Sequence, residues 1–161
     1  MTYSRVMCLV RGDEADEEVI RTAVSQLTGN QRSIRFVYVI VVDRRQAIDD
    51  PDPQVHRNAE RVLRNAEQAA GVRGESRGVI LQSRSIAPVL IREALDYGAD
   101  AIVAGVRVLT SFGSKMIDPD SEYLLANAPC AVVLHRTSVL GFDTEDDRSN
   151  SRAPHGVAHL I

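Results

Sequence analysis

"GADAIVAGVRVLTSFGSKMIDPDSEYLLANAPCAVVLHR", residues 98–136, holds two short apolar runs with a helix signal between them. "ADAIVAG" and "CAVVLH" are too short for helices and apolar at successive positions, which suits strands buried on both faces. "PDSEYLLANA" opens on Pro119 with Asp118 placed to cap it, so a short helix lies between the strands. Strand, helix, strand in that order makes parallel neighbours joined by a right-handed crossover.

The same alternation extends upstream. "VMCLV" (6–10) is an apolar run ended by Arg11 and Gly12, and Ile20, Ala23, Val24 and Leu27 then recur at helical spacing until Gly29. "IRFVYVIVV" (34–42) is β-branched and aromatic, and the proline-broken "DRRQAIDDPDP" after it reads as a loop. Val55, Ala59, Val62, Leu63, Ala66 and Ala70 mark a second helix, "VILQS" (79–83) a third strand, and Ser85 caps a helix carrying Ile86, Leu90, Ile91, Ala94 and Leu95. The expectation is an α/β fold: one three-layer α/β/α domain around a five-stranded, mostly parallel sheet. Ligands of such sheets bind beyond the carboxyl ends of the strands, where the strand order switches direction. That places any site at Arg11 and Gly12, at Val39 to Val42, and from Gly105 onward.

The totals agree with one domain, read as residues 1–138, followed by a polar tail over 139–161. The chain has 161 residues, 44% apolar and 25% charged, with a formal net charge of −3. Nineteen basic residues are scattered rather than striped, so no nucleic-acid partner is expected. "FVYVIVV" is too short to span a bilayer, so no membrane insertion is expected. "MTYSRVMCLV" carries no export pattern, which makes the cytoplasm the expected location. Cys8 and Cys130 lack metal or redox spacing and read as buried thiols.

Residues 97–136 resemble the C-terminal signature of the universal stress protein domain, usually a "GADLIVMGSRG" segment, a loop, and then "GSVSEYVLRHAPCPVLVV". The shared pattern is "GAD.IV.G.R" and "SEY.L..APC.VV", and the likeness reaches over about residues 4 to 138. It implies a flavodoxin-like or adenine nucleotide α-hydrolase-like fold, commonly dimeric through the last strand, here Ala131 to His135. One branch of that family binds ATP through a glycine, two residues, a second glycine, nine residues, and a glycine followed by serine or threonine. Gly105 matches the first glycine, Val108 stands in place of the second, and Asp118 and Pro119 stand in place of the final pair. Arg11 stands where ATP-binding members usually carry an aspartate.

Physical chemistry points the same way. A helix start binds phosphate through unpaired N–H groups at its positive end. Asp118 at the N-cap offers those groups a carboxylate of the chain's own, Pro119 has no N–H, and Val108 removes easy access to positive φ. Against that stand Arg11 and Arg107 at strand ends and Thr110, Ser111, Ser114 and Lys115 in "TSFGSK", which could build a different phosphate nest.

The acidic run Asp13, Glu14, Asp16, Glu17 and Glu18 reads as complementing a helix start. Asp49, Asp50 and Asp52 lack the glycine and glutamate of a calcium loop, and His155 and His159 are separated by a helix-breaking glycine. No nucleophile, histidine and acid are spaced as a catalytic set, so no enzyme activity, cofactor or metal is expected. The sequence reading is a non-catalytic regulatory homodimer, similar to universal stress proteins, that acts through a protein partner. The candidate cleft residues are Arg11, Gly12, Val39, Gly105, Arg107, Ser114 and Lys115. Two alternatives stand beside it: an ATP or AMP sensor with a rebuilt phosphate loop and slow ATP hydrolysis, and an accessory subunit of a transporter or larger complex docked through the tail. On the edge strand, Val139 and Leu140 would extend the dimer contact.

Overall fold

The computed structural model describes residues 2–49, 52–72 and 74–137. The tail read over 139–161, with Val139, Leu140 and the two histidines at 155 and 159, lies outside the described residues. In chain order the elements are β1 (Arg5–Leu9), α1 (Asp16–Ser25), β2 (Ser33–Val41), α2 (Pro53–Ala70), β3 (Glu75–Ser83) and α3 (Ile86–Tyr97). Then come β4 (Ala101–Gly105), β5 (Val108–Ser111), β6 (Ser114–Ile117), α4 (Pro119–Asn127) and β7 (Ala131–His135).

Five strands form one sheet in the order β3-β2-β1-β4-β7, and every neighbouring pair is parallel. The central strand is β1, with Val6 beside Ile34 on one side and Ala101 on the other. Side chains alternate between faces along a strand, and each face carries its own core. Val6, Cys8, Val10, Ile34, Phe36 and Val103 pack with Val19, Ile20, Ala23, Val62, Leu63 and Ala66 of α1 and α2. Met7, Leu9, Val37, Ile102 and Ala104 pack with Ala87, Leu90, Ala94 and Leu124 of α3 and α4. Two cores separated by one sheet make the expected three layers.

Local chemistry sets the helix ends. Asp52 caps α2 by accepting the Gln54 amide at 2.8 Å, Pro53 follows at the first helical position, and Gly71 closes the helix at φ 53°. Ser85 occupies the N-cap of α3 but makes no side-chain cap bond; instead Asp120, from α4, accepts the Ala87 amide at 3.3 Å. Strand β3 starts at Glu75, four residues earlier than the apolar pattern predicts. It pairs with β2 without a break from Ser33 beside Glu75 to Val41 beside Ser83, and that ladder overrides a glycine-containing sequence. The exposed edge of β3 is partly closed, since the Gly78 amide donates to Glu67 Oε1 at 2.6 Å.

The "TSFGSK" stretch is not a loop. β5 and β6 form an antiparallel hairpin with Thr110 beside Lys115 and Ser111 beside Ser114, turning on Phe112 and Gly113 at φ 49° and 77°. Positive φ at both turn residues is the hairpin geometry that matches strand twist.

Candidate functional site

Strand order reverses at β1, because the chain steps from β1 to β2 and β3 and then crosses back to β4 and β7. The carboxyl ends of β1 and β4 therefore face a common cleft. Leu9, Arg11, Asp13, Ala15, Asp16, Val19, Gly105, Val106, Arg107, His135 and Thr137 line it. Of the residues singled out from the sequence, Arg11, Gly105 and Arg107 meet here.

The others lie elsewhere. Gly12 follows Arg11 at φ 78°, and an added Cβ would sit 2.9 Å from a Val62 methyl carbon. Val39 packs against the α3 side of the sheet. Ser114 and Lys115 stand on the exposed strand β6, and their backbone groups pair with β5.

The cleft is occupied by the chain's own charged groups. Asp16, in the first turn of α1, accepts the Arg11 amide at 2.9 Å and the Gly12 amide at 2.7 Å. These are the donors that a loop after a strand can offer to an anion. Asp118, the N-cap of α4, accepts the Ser121 amide at 3.0 Å and the Ser121 hydroxyl at 2.7 Å. Its second oxygen also reaches back beneath the hairpin to the Arg107 amide at 2.8 Å. The charge of Arg11 acts on both carboxylates. Across the mouth, Arg107 Nη2 contacts Asp13 Oδ2 at 3.0 Å, joining the β4 and β1 ends. About 30 Å³ of free space remains, room for roughly one water molecule.

The two capping acids titrate in opposite directions. Burial pushes the Asp16 carboxyl up, more than the Arg11 and Gly12 amides pull it down. Burial also opposes ionisation of Asp118, but the Arg107 amide and the Ser121 hydroxyl and amide outweigh it and hold its carboxyl below the ordinary range.

A second polar chain borders the cleft. His135 at the end of β7 meets Glu18 Oε2 through Nε2 at 2.8 Å and Thr22 Oγ1 through Nδ1 at 3.0 Å, tying the edge strand to α1. The acidic run thus does more than complement a dipole: Asp13 meets Arg107, Asp16 caps two amides, Glu17 pairs with Arg21 and Glu18 holds His135. Helical spacing shows the Glu17–Arg21 pair but not the roles of Asp13 and Glu18, whose partners lie across the fold.

A larger hollow of about 1120 Å³ opens at the opposite end of the sheet beside Arg5, Arg32, Arg35, Tyr97 and Asp100. Arg35 there is committed to Glu93 at 2.6 Å and to the Tyr97 ring at 4.0 Å. The carboxyl ends of α1 and α3 also point that way, which disfavours anions. Among the described residues no three His, Cys, Asp or Glu side chains gather to hold a metal, and no helix is long and apolar enough to cross a membrane. Both cysteines are free, and burial pushes their thiols up toward the neutral form.

Comparison with known proteins bears on this arrangement. The model of the universal stress protein family matches residues 2–136. The chain belongs to the universal stress protein family. A universal stress protein of Thermus aquaticus is 37% identical over 78 residues, which are 48% of this chain and 56% of that protein. The match thus spans little more than half the length of that relative. Among solved structures, a universal stress protein from Archaeoglobus fulgidus in complex with dAMP superposes with a TM-score of 0.62 at 19% identity, covering 83% of this chain and 98% of that one. Universal stress protein UspA from Lactobacillus plantarum gives 0.64 at 17%, covering 84% and 99%. A universal stress protein in complex with cAMP gives 0.58 at 15%, covering 86% and 100%. At such identities the likeness establishes the fold, the parallel α/β/α arrangement read from the sequence.

Proposed function

We propose that this stress-response family member is a non-catalytic regulatory protein that acts through protein contacts, as a homodimer paired along β7, with its family nucleotide cleft filled by its own side chains. The carrying observation is the cleft itself. About 30 Å³ is free where small-molecule sites hold roughly 300 to 1,000 Å³. The amides of Arg11, Gly12 and Arg107 are already bonded to Asp16 and Asp118. A phosphate entering there would displace two carboxylates and then face their charge. Among the described residues β7 pairs only with β4, and this edge suits antiparallel pairing with a second copy.

The competing reading is an adenine nucleotide sensor. It draws on Arg11 and Arg107 lining the cleft and on the dAMP and cAMP complexes of proteins with this fold. Titration calorimetry with ATP and AMP separates the two. No heat up to millimolar ligand is expected, and saturable binding below about 100 µM would replace the first reading with the second.

A further inference from the structure

The hairpin β5–β6 is bare. Val108, Leu109, Met116 and Ile117 are between 37% and 55% exposed and Phe112 at the tip is fully so. A two-stranded hairpin with both faces in water is marginal by itself. Phe112 also sits at φ 49°, a left-handed conformation that disfavours residues other than glycine. An exposed aromatic held in a strained turn is costly in the isolated chain.

The base of this arm is nevertheless fixed. The Val106 amide donates to the His135 carbonyl at 2.9 Å, the Asp118 amide to the Arg107 carbonyl at 2.9 Å, and the Arg107 amide to the Asp118 side chain at 2.8 Å. The hairpin therefore projects in a set direction from the β7 edge of the sheet.

The same edge carries a surface of matching chemistry. Helix α4 packs against β7 and exposes Tyr123 (45%) and Leu125 (56%), so its own chain's hairpin does not cover it. The charged residues of α4 are Asp120 and Glu122, whereas the hairpin's charged residue is Lys115. One chain thus presents both halves of an apolar, oppositely charged contact, as a two-fold interface requires.

We infer that the β5–β6 hairpin of one copy packs across α4 of a second copy, with Phe112 against Leu125 and Lys115 toward Glu122, which share one face of that helix. This rests on the homodimer reading above and names the contact that completes it.

The test is sedimentation equilibrium on the full chain, alone and in mixtures. Wild type dimerises, and Phe112→Ser weakens the dimer by about tenfold or more with an unchanged circular dichroism spectrum. Lys115→Glu and Glu122→Lys each weaken it about threefold or more when alone. Mixed in equal amounts they recover wild-type affinity, because both contacts of the heterodimer then pair opposite charges. A wild-type monomer at 100 µM would overturn the homodimer reading and this contact together. A dimer indifferent to all three substitutions would overturn the hairpin contact alone and leave pairing along β7 standing.

Discussion

Asp118 Oδ2 lies 2.8 Å from the Arg107 amide nitrogen, across the whole length of the intervening hairpin. One carboxylate thereby closes the root of the hairpin and caps α4 through Ser121. Only 7% of Asp118 is exposed, so removing its charge leaves several donors without a partner.

Asp118→Ala is expected to destabilise the protein by about 1 to 3 kcal/mol, combining the lost cap and the orphaned Arg107 amide. The folded-state pKa of Asp118 lies below its unfolded value. Its stabilisation is therefore fully present above the ordinary carboxylate range and is lost as pH falls through the folded value. Urea unfolding midpoints from pH 6 down to pH 2.5 check this. The difference between wild type and Asp118→Ala should shrink toward the acid end, and a constant difference would contradict the assignment.

Asp16 should behave the other way. Its carboxyl is raised, so its charged form costs stability that grows as pH rises from its unfolded toward its folded pKa. Asp16→Asn retains an acceptor for one amide and should narrow the loss of stability between the ordinary carboxylate range and neutrality. Midpoints measured on the same pH series would show a flatter profile than wild type.

Gly12→Ala meets two obstacles, a positive φ of 78° and a Val62 methyl carbon 2.9 Å from the new Cβ. A loss of about 1 to 3 kcal/mol is expected. Thermal and urea unfolding of Gly12→Ala, with Val62→Ala as a second change, provide the measurement. Relief of part of the loss in the double variant is the expected signature of the clash.

Much of this architecture is written plainly in the sequence. "VMCLV" and "AIVAG" are apolar because the parallel sheet buries both their faces, whereas the equally apolar "FVYVIVV" ends on Val41, which is 55% exposed, and Asp118 with Pro119 announces the start of α4. The hairpin is less plain, since Val108 and Thr110 before Phe112 and Gly113 are β-branched but only Ile117 is after them. Matching that stretch to a glycine spacing instead made it read as a loop. What local pattern could not show is pairing across the fold. Asp13 with Arg107 and Glu18 with His135 join residues 94 and 117 positions apart, and no periodicity records such distances. Arg11, Gly105 and Arg107 stand at strand ends, where sheet order alone places a cleft, whereas Asp16 reads in the sequence as a helix-start acid.

If Asp118 and Pro119 are what keep phosphate from the start of α4, returning that stretch to glycine and hydroxyl chemistry should admit it. Val108→Gly, Asp118→Gly and Pro119→Ser combined are expected to gain ATP binding measurable by calorimetry, with Asp16→Asn strengthening it further. No gain in either variant, in protein that remains folded by circular dichroism, would contradict this placement of the loop.

The most direct test of the filled cleft is to purify the protein without added nucleotide, denature it, and identify any released small molecule by mass spectrometry. No adenine nucleotide is expected in stoichiometric amount. Recovery of about one ATP or AMP per chain would contradict that, since Arg11, Asp13 and Asp16 could not then line so small a cleft.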